Sequence, residues 1–228
     1  RAAQGLVLLP VLSTLNDFHV CRDEILRYAH AREVTPEISV LLEECLSEAL
    51  GQLTYRVCWQ KLPVRQMPEG LDLTFAQCPS KTLGRHLEGC SHIVLFGATV
   101  GIALDRLINR YGTTAPAKAL LLQAIGAERI EALCNAFSQK IREDSAAEGL
   151  YTTSRFSPGY GDLPLELQRD IFCTLNCSGK IGLTLTDSLL MSPSKSVTAI
   201  IGIGKSCRDA ATGCGGCTKK DCIYRRSL

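Results

Sequence analysis

Neither sign of charge prevails in this sequence. Its 228 residues hold 25 Lys+Arg against 23 Asp+Glu, a net charge of +2. Nothing electrostatic therefore points to nucleic acid or an anionic membrane surface as a partner. Long hydrophobic runs are scarce near the start as well. The stretch from Leu6 to Leu12 is interrupted by Pro10 and falls far short of the roughly 20 residues that a membrane-spanning helix needs. Arg1 ahead of that short run imitates a secretory signal, yet no clean small-residue cleavage site follows it. The chain begins with Arg rather than Met, which suggests that a few residues precede it. There is no internal repeat and no low-complexity segment. The four histidines, His19, His30, His86 and His92, are too dispersed to define a site. Gly204-Lys205-Ser206 imitates the end of a phosphate-binding loop, but Ala199 stands where that motif requires its first glycine. No Ser-His-Asp arrangement is readable.

What is abundant is cysteine, with 12 residues. A chain of this length can bury a full core and does not need disulfide staples. Hydrophobic residues at 46% and charged residues at 21% describe an ordinary globular protein. Eight cysteines are scattered (Cys21, Cys45, Cys58, Cys78, Cys90, Cys134, Cys173, Cys177), whereas Cys207, Cys214, Cys217 and Cys222 crowd the end of the chain. That distribution fits a reducing, cytoplasmic compartment and one metal site better than a secreted disulfide framework. The expected organisation is a domain over residues 1–204 and a cysteine-rich segment over 205–228.

Along the chain, residues 22–31 predict a short helix. Residues 35–53 predict a longer one, with Thr35 as cap, Pro36 at the first position and Ile38, Leu41, Leu42, Cys45, Leu46, Ala49 and Leu53 at helical spacing. Cys45 belongs to that apolar stripe and reads as core. Residues 54–68 read as strand and loop, Leu71, Leu73 and Phe75 alternate as in a half-buried strand, and His92 to Phe96 is a buried strand. A long helical region from about Ala115 to Ala146 carries a break at Gly126. After a loop at 149–164, residues 165–177 are helical. Ile181 to Thr186 reads as a strand that pairs with Val197–Ile203 as a hairpin. Cys173 and Cys177, four apart on a helix, face one side. The fold class is α+β, helices packed on an antiparallel sheet.

The loop is the first functional signal. Ser154-Arg155-Phe156-Ser157-Pro158-Gly159-Tyr160-Gly161-Asp162 joins a guanidinium, a proline turn, a glycine and an aromatic ring. Arg155 can grip a carboxylate through two parallel hydrogen bonds. Gly159 admits close approach of a ligand, and Tyr160 offers a flat face to a base or a cation. The bland alternative is a surface turn with a solvated arginine.

Arg-x-x-Pro-Gly-Tyr resembles the S-adenosylmethionine-binding motif of the activation domain of vitamin B12-dependent methionine synthase. The likeness continues through Leu185-Thr186-Asp187-Ser188, Met191-Ser192-Pro193 and Ser196-Val197, and upstream through a helix with Glu131, Ala136 and Phe137. It spans about residues 92–204. The resemblance implies an activation-domain-like fold. It implies that Arg155 binds the carboxylate of S-adenosylmethionine, while Ser157, Pro158, Gly159 and Tyr160 contact the rest. Gln139 aligns where the family has a glutamate that reaches the ligand's amino group; it keeps an acceptor oxygen and lacks the charge. Ile200, Ile201 and Ile203 replace the family's tyrosines on the strand after Ser-Val. The implied role is that of a stand-alone activation protein in methionine biosynthesis. It would support reductive remethylation of a cobalamin-dependent methionine synthase or related corrinoid methyltransferase, with cobalamin reached only through that partner.

The second signal is Cys207-x6-Cys214-x2-Cys217-x4-Cys222. A CxxC at a glycine-rich turn lets two thiolates face one metal, and the remaining sulfurs close the site. Zinc and an iron–sulfur cluster both satisfy this set. Lys205, Arg208, Lys219, Lys220, Arg225 and Arg226 surround it and could offset thiolate charge or dock an acidic partner such as a flavodoxin- or ferredoxin-type reductant. The alternative reading of the whole chain is an iron–sulfur or zinc protein that docks on a corrinoid protein for electron delivery or scaffolding, without binding S-adenosylmethionine.

Overall fold

The structure is a computed structural model that describes residues 19–31 and 33–207. The apolar stretch at 6–12, Cys214, Cys217, Cys222 and the basic residues Arg208, Lys219, Lys220, Arg225 and Arg226 lie outside the described residues. In chain order the elements are α1 (Arg22–Tyr28), α2 (Pro36–Leu50), β1 (Arg56–Pro63), β2 (Arg65–Met67), β3 (Gly70–Asp72), β4 (Gln77–Cys78), α3 (Lys81–His86) and β5 (His92–Thr99). There follow α4 (Ala103–Tyr111), α5 (Pro116–Ala147), β6 (Tyr151–Thr152), α6 (Leu167–Leu175), α7 (Cys177–Ile181), β7 (Thr184–Leu185), β8 (Met191–Ser192) and β9 (Ser196–Gly204). Helices packed on an antiparallel sheet are what the sequence predicts.

The main sheet has the order β1-β5-β9-β6, with every neighbouring pair antiparallel. Its two central strands are apolar on both faces. Val94, Phe96 and Ala98 of β5 join Ala199, Ile201 and Ile203 of β9 in a core closed by α1, α2, α4 and α5. Ile93 and Leu95, with Ile200 and Cys58, look the other way into a core closed by α6, α7 and the small β2–β3–β4 sheet. A strand covered on both faces needs no polar alternation, so HIVLF reads as a continuous run. Against the first face lies α5, whose Phe137 ring sits 4.9 Å from Phe96 and 6.3 Å from Trp59.

Local signals explain the helix boundaries. Thr35 caps α2 by accepting from the Ile38 N–H at 3.4 Å, and Pro36 opens the helix. Ser80 caps α3 by accepting from the Leu83 N–H at 3.0 Å. The buried Glu128 and Arg129 of α5 form an ion pair. Arg129 also donates to the His19 carbonyl and Glu128 accepts from the Cys21 N–H. A charge pair inside a core is stabilising only when its remaining donors and acceptors are satisfied. Here the backbone at 19–21 satisfies them and is held against α5.

Several sequence expectations change. Gly126 does not break the helix: α5 runs uninterrupted through it. A Cβ there would come within 2.4 Å of Leu104 Cδ2 and 2.8 Å of Lys195 Cγ, so the glycine permits close approach of α4 and the Lys195 stem. Ile181 ends α7 instead of starting a strand, and β7 pairs with β8, not β9. Val197–Ile203 is spent on β5 instead. Cys173 and Cys177 do not share a helical face. Asn176, with φ 52°, ends α6 in a left-handed turn and caps α7 by accepting from the Gly179 N–H. Cys173 is exposed, whereas Cys177 is buried with its sulfur 3.7 Å from that of Cys58.

Phe137→Ala removes the ring that joins α5 to β5 and β1. It is expected to lower stability by about 3–5 kcal/mol, read as a lower denaturant midpoint with an unchanged slope.

Candidate functional site

The Arg155 loop is fastened along the free edge of β9. Tyr151 and Thr152 pair with Gly204 and Ile203. Thr153 then donates its N–H to the Gly202 carbonyl at 3.0 Å, and its hydroxyl accepts the Gly202 N–H at 2.9 Å. Phe156 exchanges both backbone hydrogen bonds with Ile200, at 2.9 and 2.8 Å. From the α3 side, His86 Nε2 donates to the Ser154 carbonyl at 2.8 Å, and its ring lies 5.0 Å from that of Phe156. Burial lowers the His86 pKa, which favours the neutral ring in that position.

Beyond Phe156 the chain turns tightly. Tyr160 donates its N–H to the Ser157 carbonyl, Gly159 donates to the Leu163 carbonyl and Leu163 to the Tyr160 carbonyl. Pro158 is buried beneath the turn. Gly159 sits at φ +88°, a conformation that side chains resist. The far end is clamped by Asp162, whose carboxylate accepts from the Ser80 hydroxyl at 2.5 Å, the Lys81 N–H at 2.9 Å and the Thr82 N–H at 3.1 Å. These bonds, led by Ser80, hold the carboxyl well below its usual range. The Tyr160 side chain is left 66% exposed, with its ring 6.1 Å from that of Phe156.

Arg155 leaves the loop toward α5. Its Nη2 donates to Glu131 Oε2 at 2.9 Å and to Asn135 Oδ1 at 2.8 Å. Glu131 and Asn135 are one turn apart and lie on one helix face. The arginine side chain is 22% exposed and the glutamate 40%, so the pair forms at the rim of the core. Cys134 lies fully buried beside them, its thiol pushed up to about 12 by burial. The structure thus brings together a cation, an anion, an amide and an open aromatic ring.

Arg155, Ser157, Pro158, Gly159 and Tyr160 share this loop. Gln139 does not join them. It lies two turns beyond Glu131, about 12 Å along the axis, is exposed, and gives its amide to Glu143 at 2.8 Å. Of the four C-terminal cysteines only Cys207 is among the described residues, with its sulfur 2.9 Å from that of Cys90. No group of three or more metal-ligating side chains occurs among the described residues. A surface groove of about 580 Å³ lies elsewhere, between the β2–β3 turn and α3, and includes Gln66, Gly70, Lys81 and Arg85. No helix among the described residues is long and apolar enough to cross a membrane. Sequence reasoning missed Asn135, Asp162 and the Cys90 contact; the Glu131/Asn135 spacing was a signal for one face but not for which face meets the loop.

Residues 83–214, more than half of the chain, match the sequence profile of the vitamin B12-dependent methionine synthase activation domain. That match starts earlier than the motif series and extends through Cys207 to Cys214. Among solved structures, the chain is similar to one described as the MetH reactivation domain bound to AdoHcy. The TM-score is 0.58 at 16% identity, over 84% of this chain and 72% of that one. No curated protein matches the chain.

A depressed carboxyl pKa contributes stability above the usual aspartate range and loses it as pH falls through the folded value. Asp162→Ala is therefore expected to lower Tm at neutral pH, with the gap to the wild type closing once the pH drops below about 4. Melting curves across that range check it; a gap independent of pH would contradict the clamp.

Proposed function

The chain belongs to the vitamin B12-dependent methionine synthase activation domain family, and on that footing we propose that it binds S-adenosylmethionine at the Arg155 loop. In this reading it acts as a stand-alone activation protein in the cytoplasm. It docks on a cobalamin-binding methionine synthase or related corrinoid protein and presents the methyl donor for reductive remethylation. The observation that carries the proposal is the Arg155–Glu131 pair with Asn135 beside it. An amino-acid ligand is a zwitterion, and its two charges match the two partners. Nη2 now bonds Glu131 and Asn135; in this reading a ligand carboxylate takes their place on the guanidinium, while Glu131 takes the ammonium. Tyr160, exposed at the tip, offers its face to the adenine or the sulfonium. The turn around Ser157, Pro158 and Gly159 offers backbone groups. The AdoHcy named with the similar structure has the same amino-acid end and supports the assignment.

The C-terminal thiols Cys207, Cys214, Cys217 and Cys222 are read as a metal site in the segment after residue 204. Iron and sulfide there would supply a one-electron carrier; zinc would supply a structural cross-link. A flavodoxin- or ferredoxin-type protein would be the reductant.

Arg155→Ala is expected to weaken S-adenosylmethionine binding by about 10–150-fold, the loss of one charged hydrogen-bonded contact worth about 1.5–3 kcal/mol. Glu131→Gln is expected to weaken it in the same direction while leaving an acceptor for Arg155. Isothermal calorimetry measures both. Unchanged affinity in Arg155→Ala would overturn the pocket. No binding by the wild type at millimolar ligand would leave the electron-delivery or scaffolding role.

A further inference from the structure

We infer that Cys90 and Cys207 form a reversible disulfide, a thiol–disulfide switch that joins the two ends of the central β5–β9 ladder. The inference does not rest on a metal at the C-terminal cysteines, and Cys207 is the only residue it shares with that reading. Cys90 lies two residues before β5, and Cys207 three residues after β9. Antiparallel pairing brings these ends together. His92 is opposite Ile203, and the Ser91 N–H donates to the Ile203 carbonyl at 2.9 Å. The two sulfurs are 2.9 Å apart, and a disulfide needs them at about 2.05 Å. A movement of less than about 1 Å therefore closes the bond.

Glycines clear the space for that approach. A Cβ on Gly202 would lie 2.6 Å from Cys90 Sγ, and one on Gly204 would lie 2.7 Å from Cys90 Cα. Gly89, at φ +78°, would carry its Cβ only 2.7 Å from the Ser206 carbonyl oxygen. Accessibility then singles out this pair. Cys58 and Cys177 also meet, at 3.7 Å, but they are 4% and 0% exposed and lie beyond the reach of a soluble oxidant. Cys90 and Cys207 are both partly accessible. In a reducing compartment an accessible pair of this kind cycles and does not persist as a staple.

The oxidant is a low-molecular-weight disulfide of the glutathione class. One cysteine thiolate attacks a sulfur of the oxidant and expels one glutathione thiolate, which leaves a mixed disulfide. The thiolate of the other cysteine attacks the protein sulfur of that intermediate and expels the second glutathione. The two cysteines lose two electrons and two protons, and two molecules of reduced glutathione carry them away. Excess reduced glutathione drives the exchange backwards. The bond links residues 117 apart in the chain, and the loop it closes contains β5, α5, the Arg155 loop and β9. A cross-link stabilises more as the loop it closes grows. The end of β9 that it pins also carries Tyr151, Thr152 and Thr153, so oxidation fastens the anchor of the Arg155 loop. It also removes Cys207 from any set of metal ligands, so disulfide and metal exclude each other at that one sulfur.

The full chain is stripped of metal with a chelator, reduced, and equilibrated without oxygen in mixtures of reduced and oxidised glutathione. Free thiols are then alkylated and the tryptic peptides mapped without reduction. Cleavage after Lys205 and Arg208 separates Cys207 from Cys214, Cys217 and Cys222. The expected product joins peptide 86–106 to peptide 206–208, and excess reduced glutathione releases it. The oxidised wild type is expected to melt at least about 4 °C above the reduced protein. Cys90→Ser and Cys207→Ser should show no such rise, and Cys173→Ser, a control on the exposed thiol of α6, should behave as the wild type. The wild-type peptide map decides even where a variant fails to fold. Cys90 alkylated throughout overturns the inference, and so does Cys207 paired with peptide 209–219 or 221–225 in its place. A link that reduced glutathione does not release overturns the switch, and a link that leaves the melting temperature unchanged overturns the fastening of the ladder.

Discussion

The pairing of β5 with β9 is the constraint on which the molecule depends. It runs residue for residue from His92↔Ile203 to Thr99↔Ser196, and it is buried on both faces. A one-residue slip would turn every side chain to the other face and exchange the two cores. The same register determines what happens beyond the strands. The outer edge of β9 receives residues 151–156, which fixes where Arg155 leaves the backbone. The matched ends of the two strands place Cys90 against Cys207. The Arg155 loop and the Cys90–Cys207 contact are therefore consequences of one ladder.

At the Arg155 loop, the physical problem is to keep a cation near a core without leaving it unpaired. Glu131 and Asn135 solve it by lying one turn apart on α5. The glutamate is the more open of the two charges, so the pair is screened by solvent and, under the proposed assignment, would be traded for a ligand's charges at modest cost. A deeply buried pair such as Glu128–Arg129 could not be traded in this way, because separating it would strand a charge in the core. The two ion pairs of α5 differ accordingly: one fastens residues 19–21, and the other, under the proposed assignment, is given up to a ligand.

Much of this was legible in the sequence where local chemistry governs. Thr35-Pro36 opened α2 as its capping residues require, HIVLF formed the doubly covered strand, and the Pro-Gly-Tyr turn formed a structured loop. What failed needed long-range information. Gly126 carries a weak helix propensity, but packing against Leu104 and Lys195 overrides it. Ile181 to Thr186 has strand alternation, yet Asn176 starts a short helix that consumes its first residue. Asn135 and Asp162 are ordinary polar residues until the fold brings α5 and α3 to the loop. Gln139 illustrates the converse: alignment placed it by position along the chain, whereas its amide is spent on Glu143 and it lies two helical turns beyond Glu131, the partner of Arg155.

The Asp162 clamp has a further consequence. With Phe156 tied to β9 and Asp162 tied to the start of α3, the residues between them have little conformational entropy left to lose when a ligand arrives. Under the proposed assignment, recognition at this loop would proceed with small backbone movement around the exposed Tyr160 side chain. Discrimination among ligands would then fall to shape and charge on a surface already formed, so a molecule with the wrong spacing between its carboxylate and ammonium would meet a template that adapts little to it.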